Sequence, residues 1–314
     1  MNSVKNQAIV SDKIKVTPKK HLGQNFLQNQ TICNKIVNAV NIANKELILE
    51  IGPGEMALTK ILLSNTNNFI IIEKDKQVID FLVNYFNNNS YQMYDDIKDD
   101  SCNIKIYKAI KVISENKNIL LIQMDAMDLK IDLICLLYNK IFNTKFIMLK
   151  IVANLPYNIA TMLLYKWCEN QNYNYISTLT IMIQKEVAQR IVSKIKSKES
   201  YGKLSVISQL LFKSNILFDV SADNFFPKPK VTSSVISMIK DKDDIINLEN
   251  VKQFMEFLTI AFNNKRKILL NVLNTSKYNI KSNEMNSSFI QEISKKRIEE
   301  ISPQEIYRIF CIFL

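Results

Sequence analysis

The sequence predicts an α/β protein, a doubly wound, Rossmann-like sheet with a small C-terminal all-helical domain. In the amino-terminal part, short apolar runs bounded by turn residues alternate with segments of helical spacing. Such alternation is typical of βαβ units, which build a parallel sheet with helices on both faces. Beyond Asp241-Lys242-Asp243-Asp244 only helical patterns follow. We therefore predict two domains, residues 1–242 and residues 243–314.

The first βαβ unit and the helix before it have clear patterns. We expect, in chain order, a helix at 32–40, a strand at 46–51, a helix at 57–63 and a strand at 69–72. Gly52-Pro53-Gly54 ends the first of these strands. Asp75 is placed to cap the following helix, because a carboxylate at that position can accept an otherwise unpaired backbone N–H.

The later elements are predicted in the same way. Further strands are expected at 119–123, 146–153 and 179–183, and C-terminal helices at 251–261, 267–273 and from 302 onwards. The start of the last helix is the most specific, since Ser302 can cap it, Pro303 fits its first position and Glu305 completes a capping box. The polar segment 87–117 interrupts the alternation, and we predict an inserted surface loop or short helix there.

Composition and charge limit the classes of function. The chain has 314 residues, 47% of them hydrophobic, and a net charge of +11, which favours a polyanionic partner such as nucleic acid. Drift in an AT-rich genome explains part of the lysine excess. Five scattered cysteines and a single histidine, His21, argue against a disulfide framework, a metal site or a Ser-His-Asp triad. With no apolar run of about 18 residues, we expect a cytoplasmic protein. We also predict that it is a monomer.

The glycine turn predicts a nucleoside-binding loop. Gly52 lets a ligand approach the backbone, and Gly54 can adopt a turn conformation closed to most residues. The alternative is a simple tight turn. Glu73 ends the next strand, where an acidic side chain suits ribose hydroxyls. A dinucleotide would favour a third glycine, but the loop continues with Glu55 and Met56. An acidic loop without that glycine better fits S-adenosylmethionine, with Asp125 accepting from its adenine amine or, alternatively, only capping a helix.

Asn154-Leu155-Pro156-Tyr157 follows the apolar run 146–153 and is the most informative motif of the chain. The Asn154 side-chain oxygen and the Leu155 carbonyl can accept both hydrogens of an exocyclic amine, which directs the nitrogen lone pair at a methyl donor. Pro156 fixes the turn and Tyr157 can stack on the base. The alternative is a simple Asn-x-Pro turn with a core tyrosine.

Several motifs together resemble those of the small-subunit ribosomal RNA adenine N6,N6-dimethyltransferase family, KsgA type. They are His21 to Leu27, Glu50 to Gly54, Gln184 to Val187, Tyr201 to Val206 and Phe225 to Val231, in the expected order over nearly the whole chain. The resemblance implies a class I S-adenosylmethionine methyltransferase fold. It also implies dimethylation of two adjacent adenosines near the 3′ end of small-subunit ribosomal RNA, within the assembling small subunit.

The resemblance also implies roles for individual residues. Asn25, Leu27, Gly52, Gly54, Glu73, Asp125 and Asn154 would bind the cofactor. Asn154, Leu155, Pro156, Tyr157 and Phe225 would form the catalytic pocket, with the Tyr157 and Phe225 rings on either side of the target adenine. Lys265, Arg266 and Lys267 would contact RNA, although a solvated basic helix is the alternative.

Three features depart from that family pattern. Thr232 stands where an acid or amide is usual, Lys74 replaces an apolar residue, and the segment 87–117 is longer than expected. Two other functions remain open at this point. One is methylation of an adenine in large-subunit RNA, as in resistance methyltransferases, and the other is a non-catalytic role in subunit assembly. The missing third glycine argues against a dehydrogenase.

Overall fold

The computed structural model describes residues 16–314 except 44–45, 90, 95–107, 115, 198–199, 242–245, 275, 277–287 and 294. The strands are β1 Phe26–Leu27, β2 Leu47–Ile51, β3 Asn68–Glu73, β4 Gln92–Tyr94, β5 Lys108–Ser114, β6 Lys117–Gln123, β7 Leu149–Asn154, β8 Ile176–Gln184, β9 Phe212–Val220, β10 Phe225–Phe226 and β11 Ser233–Lys240. The helices are α1 Gln30–Val40, α2 Thr59–Asn65, α3 Lys76–Asn88, α4 Ile131–Phe142, α5 Ala160–Trp167, α6 Asn170–Tyr173, α7 Lys185–Val192, α8 Lys203–Leu211, α9 Val251–Asn263, α10 Leu269–Asn274, α11 Ser288–Ile293 and α12 Pro303–Ile312.

Within the described residues, a nine-stranded mixed sheet forms the centre of the fold. Its strand order is β4-β5-β6-β3-β2-β7-β8-β11-β9. The five middle strands, from β6 to β8, run parallel, while β4, β5, β11 and β9 are antiparallel to their neighbours. The predicted α/β class is confirmed, and its parallel part is the middle of the sheet. The strand order reverses direction at β2, where such sheets bind ligands beyond the carboxyl ends of the strands.

Two apolar layers bury the sheet. Along β2, Leu47 and Leu49 face one cluster, which includes α4 and α5, whereas Ile48 faces the other, which includes α1, α2 and α3. All five residues of β2 are buried. A parallel strand covered on both faces has no solvent side, and therefore its sequence is almost continuously apolar.

The prediction for segment 87–117 is wrong where the structure describes it. The end of this segment forms β5, which pairs along its whole length with β6, and β4 adds a further edge strand. The helix α3 also continues to Asn88. The polar clusters of this segment hid the apolar run around Ile110 and Val112, both of which are buried. Residues 95–107 lie outside the described residues.

Other boundaries differ in detail from the prediction. The strand expected at 146–153 begins only at Leu149, because the Asn139 side chain binds both backbone groups of Phe146 and holds them out of the sheet. The strands β9 and β11 were not predicted. Along β9 buried or half-buried residues alternate with exposed ones, as expected of a strand at the sheet edge.

From Leu248 onwards every element in the described part of the chain is helical. Phe254, Phe257 and Phe310 are fully buried and pack ring against ring between α9 and α12. The capping box at Ser302 and Glu305 is confirmed. The helix expected at 267–273 begins at Leu269. The boundary at 242/243 falls on undescribed residues and stays a prediction. None of the described helices has the length and apolar character needed to cross a membrane.

Candidate active site

A cavity of about 170 Å³ lies beyond the carboxyl ends of the middle strands. Its walls come from the ends of β2, β3 and β7, from the residues that follow β6, and from the amino-terminal segment. The lining residues are His21, Leu22, Gly23, Gln24, Asn25, Phe26, Ile51, Gly52, Gly54, Ile72, Glu73, Lys74, Met124, Asp125, Ala126, Met127, Asn154, Leu155, Pro156, Tyr157, Asn158 and Ile159. Most of the predicted site residues are therefore brought together.

The glycine turn has the backbone that the sequence predicts. Gly52 has φ +70° and Gly54 has φ +53°, a region that favours glycine. A Cβ atom on Gly54 would lie 2.8 Å from Cδ1 of Phe26, so this glycine lets the amino-terminal segment pack against the turn. A Cβ atom on Gly52 would meet no atom within 4 Å and would enter the open cavity. Gly54 therefore makes room for Phe26, whereas Gly52 leaves space for a ligand.

Glu73 presents one carboxylate oxygen to the cavity. Its Oε1 atom accepts the backbone N–H groups of Lys74 and Asp75, each at 2.7 Å, which fixes the side chain. Burial raises the pKa of Glu73 to about 7, although those two N–H groups and Lys19 oppose the shift. Its proton occupancy therefore changes near neutral pH, and the second oxygen is available to a ligand in the cavity.

Glu50, which sequence reasoning assigned no separate role, is also buried. Its Oε2 atom has no hydrogen-bond partner among the described residues. Burial and the charge of Glu73 raise its pKa to about 8. At neutral pH the Glu50 carboxyl is therefore mostly protonated and adds little negative charge beside Glu73.

Asp125 also lines the cavity and is already paired. Its Oδ1 atom accepts the backbone N–H of Met127 at 2.9 Å, and its Oδ2 atom lies 2.7 Å from Nζ of Lys74. Burial alone would raise the pKa of Asp125, but Lys74 and the Met127 N–H together lower it. Asp125 is thus both a helix cap and a wall of the cavity. Lys74 meets it where the resemblance implied an apolar residue.

Asn154 is the last residue of β7 and is held in a single orientation. Its Nδ2 atom donates to the backbone carbonyl of Asn25 at 3.0 Å. A carbonyl only accepts, so the nitrogen must face Asn25 and the Oδ1 atom remains for another donor. The next residue, Leu155, is tied to β8 by a 3.1 Å bond from its N–H to the Met182 carbonyl. Two acceptors therefore lie at adjacent, rigid positions.

Tyr157 is half-buried at the cavity wall. Its hydroxyl lies 2.7 Å from Oγ of Ser233, at the start of β11. Burial raises its pKa, so the ring carries a neutral phenol. The bond to Ser233 anchors the hydroxyl end of the ring beside the cavity.

The amino-terminal segment closes one side of the cavity through contacts that the sequence did not reveal. The buried carboxylate of Asp75 caps α3, as predicted, and also accepts from Nζ of Lys19 and from Nε2 of Gln24. Burial by itself would raise the pKa of Asp75, but these bonds lower it overall. Asp75 therefore links the helix after the glycine-turn unit to the segment that contacts Asn154. His21, the single histidine, is exposed and stands in the lining of the cavity.

Two of the residues predicted for cofactor binding and catalysis lie outside the cavity lining. Leu27 and Phe225 are paired with each other in the short β1–β10 sheet, and both are buried. Their neighbour Phe226 is 56% exposed. Leu27 is thus placed to support the segment rather than to contact a ligand in this cavity. Phe225 reaches a target base only if the base approaches from the β10 side.

The predicted RNA contacts lie away from this cavity, after the end of α9. Lys265 is half-buried, whereas Arg266 and Lys267 are exposed. Among the described residues no group of three or more His, Cys, Asp or Glu side chains could hold a metal ion. The polar and aromatic groups that line the cavity include the carboxylates of Glu73 and Asp125, the Asn154 amide and the Tyr157 ring.

Comparisons with known proteins place this geometry among RNA methyltransferases. Residues 16–313 match the family described as ribosomal RNA adenine dimethylase. A protein of Ureaplasma parvum named ribosomal RNA small subunit methyltransferase A is 35% identical over 310 residues, 97% of this chain and 98% of the relative. A protein of the same name from Borreliella burgdorferi is 34% identical over 298 residues, 94% of this chain and 88% of the relative.

Solved structures share the fold. A dimethyladenosine transferase from Plasmodium falciparum superposes with a TM-score of 0.69 and 20% identity, over 92% of this chain and 97% of that one. The 23S rRNA methyltransferase ErmE superposes with a TM-score of 0.60 and 16% identity, over 92% of this chain and 99% of that one. At these identities the likeness shows the fold alone.

Proposed function

The chain belongs to the ribosomal RNA adenine dimethylase family, and from this premise we propose its reaction. It transfers methyl groups from S-adenosylmethionine to N6 of two adjacent adenosines near the 3′ end of small-subunit ribosomal RNA. The observation that carries the proposal is the orientation of Asn154, whose amide nitrogen is committed to Asn25 and whose oxygen is left to accept.

The residues of the cavity fit the cofactor. The space beside Gly52, which a Cβ atom would fill, suits the methionine part. The Glu73 oxygen that makes no backbone contact would accept from the ribose hydroxyls, and Asp125 from the adenine amine. When bound there, S-adenosylmethionine supplies an electrophilic methyl group on a positively charged sulfur.

The chain's own residues then act on the target amine. The N6 lone pair of adenine is delocalised into the ring, which makes it a poor nucleophile. Asn154 Oδ1 and the Leu155 carbonyl accept the two N6 hydrogens, and this pyramidalises the nitrogen and aims its lone pair. The Asn154 amide is held by the Asn25 carbonyl and Leu155 is held by β8, so both acceptors are in place before substrate arrives. The methylated aminium is acidic and loses its proton without a strong base.

The pocket must hold the target adenine and must also accept the monomethylated amine for the second transfer. The fixed Tyr157 ring would stack on the extracted adenine, a contact worth about 1–3 kcal/mol. We propose that Phe225 covers the opposite face. The monomethyl product keeps one N6 hydrogen, so a single acceptor must suffice for the second transfer, and we propose that Asn154 is that acceptor.

The choice of substrate follows from the relatives. Those quoted above are named small subunit methyltransferases, which favours small-subunit RNA over the large-subunit RNA named for ErmE. We further propose that the protein acts as a cytoplasmic monomer on assembling small subunits, with residues 1–242 as the catalytic domain and residues 243–314 contacting RNA. A purely structural assembly role would not need the fixed Asn154 acceptor.

The test is product analysis. Small ribosomal subunits that lack the 3′-end adenine methylation are incubated with the protein and methyl-labelled S-adenosylmethionine, and the RNA is digested to nucleosides. We expect label in N6,N6-dimethyladenosine at two adjacent positions. A parallel reaction contains large-subunit RNA in place of the small subunits. Label in that reaction alone would contradict the proposed substrate, and binding to small subunits without label would favour the assembly role.

A further inference from the structure

We propose that a second cavity seats one nucleotide of the RNA strand that flanks the target adenosine. This cavity, called here the α8–α9 cavity, has a volume of about 250 Å³ and lies between the start of α8 and the end of α9. The nature of the strand rests on the proposed function, but the chemistry of the site does not. Its walls combine three cations with aromatic side chains, and these match a phosphate and a base.

The cavity is strongly positive. Arg190, Lys203 and Lys265 line it, and none of the described residues in its lining is an Asp or Glu. Arg190 has Glu186 at 3.9 Å, but both side chains are more than half exposed and such pairs contribute little. Within the described part of the chain, neither Lys203 nor Lys265 forms an ion pair with a carboxylate. An anion would therefore be attracted without displacing a protein carboxylate.

The first turn of α8 adds to this field and is left uncovered. Gly202 is the N-cap residue and has no side chain to accept from the first-turn N–H groups. Its φ of −166° is extended backbone open to any residue, and a Cβ atom there would meet nothing within 4 Å. Neither strain nor crowding thus explains glycine at this position. An uncapped helix start inside a basic cavity suits a phosphate.

Aromatic rings distinguish a nucleotide from a free phosphate. Tyr165 is half-buried, and the Lys203 ammonium lies 4.6 Å from its ring centroid. Lys203 also donates to Oγ1 of Thr259 at 2.8 Å and so joins α8 to α9. Phe262 packs edge-on against Tyr201 at a centroid distance of 6.0 Å. Rings interleaved with cations are the usual means of holding single-stranded RNA.

The helix α5 connects the two cavities. Ile159, just before α5, lines the candidate active site, and Tyr165 on α5 lines the α8–α9 cavity. Six residues of helix span roughly 9 Å. An RNA strand whose target base enters the first cavity therefore reaches the second within a few nucleotides. The Tyr201 to Val206 motif, singled out in the sequence, thereby receives a role in positioning substrate.

A matched pair of substitutions at Gly202 tests the proposal. Gly202→Asp and Gly202→Ser both add an N-cap side chain that should keep or raise the melting temperature. Only the aspartate brings a negative charge. Binding is measured with a fluorescein-labelled single-stranded RNA of about ten nucleotides and with small subunits. We expect Gly202→Asp to bind both RNAs about tenfold more weakly than Gly202→Ser does. We also expect the binding of Gly202→Asp to depend less on salt concentration than that of Gly202→Ser.

Equal RNA affinity of the two variants would overturn the proposal. A loss with subunits but not with the short RNA would also overturn it, in favour of an acidic protein segment as the occupant. Binding of the short RNA requires no methyl transfer. If the wild-type protein methylates no small-subunit RNA but the Gly202 difference holds, the proposed function fails and the RNA site stands.

Discussion

The Nδ2 atom of Asn154 donates to the backbone carbonyl of Asn25 at 3.0 Å, although 129 residues separate the two. This bond decides which end of the Asn154 amide faces the cavity. It also ties the amino-terminal segment to the proposed catalytic residue Asn154. The acceptor in this bond is the backbone carbonyl of Asn25, which no side-chain substitution removes. The segment is itself held by the bonds from Lys19 and Gln24 to Asp75.

Cofactor binding is expected to strengthen as pH rises through about 7. The pKa of Glu73 in the free protein is about 7, and ribose hydroxyls donate best to its ionised form. Below that pKa each ligand bound must displace a proton, so affinity falls about tenfold per pH unit. We expect roughly tenfold weaker S-adenosylmethionine binding at pH 6 than at pH 8 by calorimetry. Glu73→Gln should bind weakly and lose most of this slope, and an equal slope in that variant would contradict the assignment.

Gly52→Ala and Gly54→Ala should separate ligand binding from folding. Both residues have positive φ, so each alanine costs about 1–2 kcal/mol of backbone strain. At Gly54 the new methyl group also meets the Phe26 ring at 2.8 Å, and the melting temperature should fall further. At Gly52 it meets only open cavity, and cofactor affinity should fall more than stability. A larger loss of melting temperature in Gly52→Ala, together with a larger loss of cofactor affinity in Gly54→Ala, would contradict these roles.

Lys74→Leu should tighten cofactor binding by a few-fold. In the free protein the Lys74 ammonium lies 2.7 Å from Oδ2 of Asp125 and competes with an adenine amine for that carboxylate. The pair is more than half exposed on the lysine side, so its own contribution is small, about 0.2–1 kcal/mol. Titration at low and moderate salt gives the measurement, with Lys76→Leu, whose partner is the exposed Asp80, as the matched surface control. Weaker binding would mean that Lys74 contacts the ligand itself.

Much of the fold and site could be predicted because the signals are local. Carboxyl ends of neighbouring parallel strands meet at one edge, so Gly52, Glu73, Asp125 and Asn154 could be assigned to one cavity from their positions after apolar runs. The glycine turn and the Asp75 cap followed from backbone chemistry alone.

The remaining features depend on contacts between distant residues. The bond from Lys19 to Asp75 joins residues 56 positions apart, and β1 pairs with β10 through only two residues each, too short for any periodicity. The pairing also buries Phe225 and exposes Phe226, which no pattern in the run Phe225-Phe226-Pro227 could indicate. The prediction of a loop or short helix at 87–117 is wrong because the many polar residues of this segment hide the short apolar strand β5.

The most direct test of the account is methyl transfer by Asn154→Ala under single-turnover conditions, with unmethylated small subunits and saturating S-adenosylmethionine. Loss of the oriented acceptor removes stabilisation that exists only when the N6 nitrogen pyramidalises. We therefore predict a rate lower by about 100-fold or more, with subunit binding and the melting temperature close to those of the wild type. Formation of N6,N6-dimethyladenosine at the wild-type rate would contradict the account.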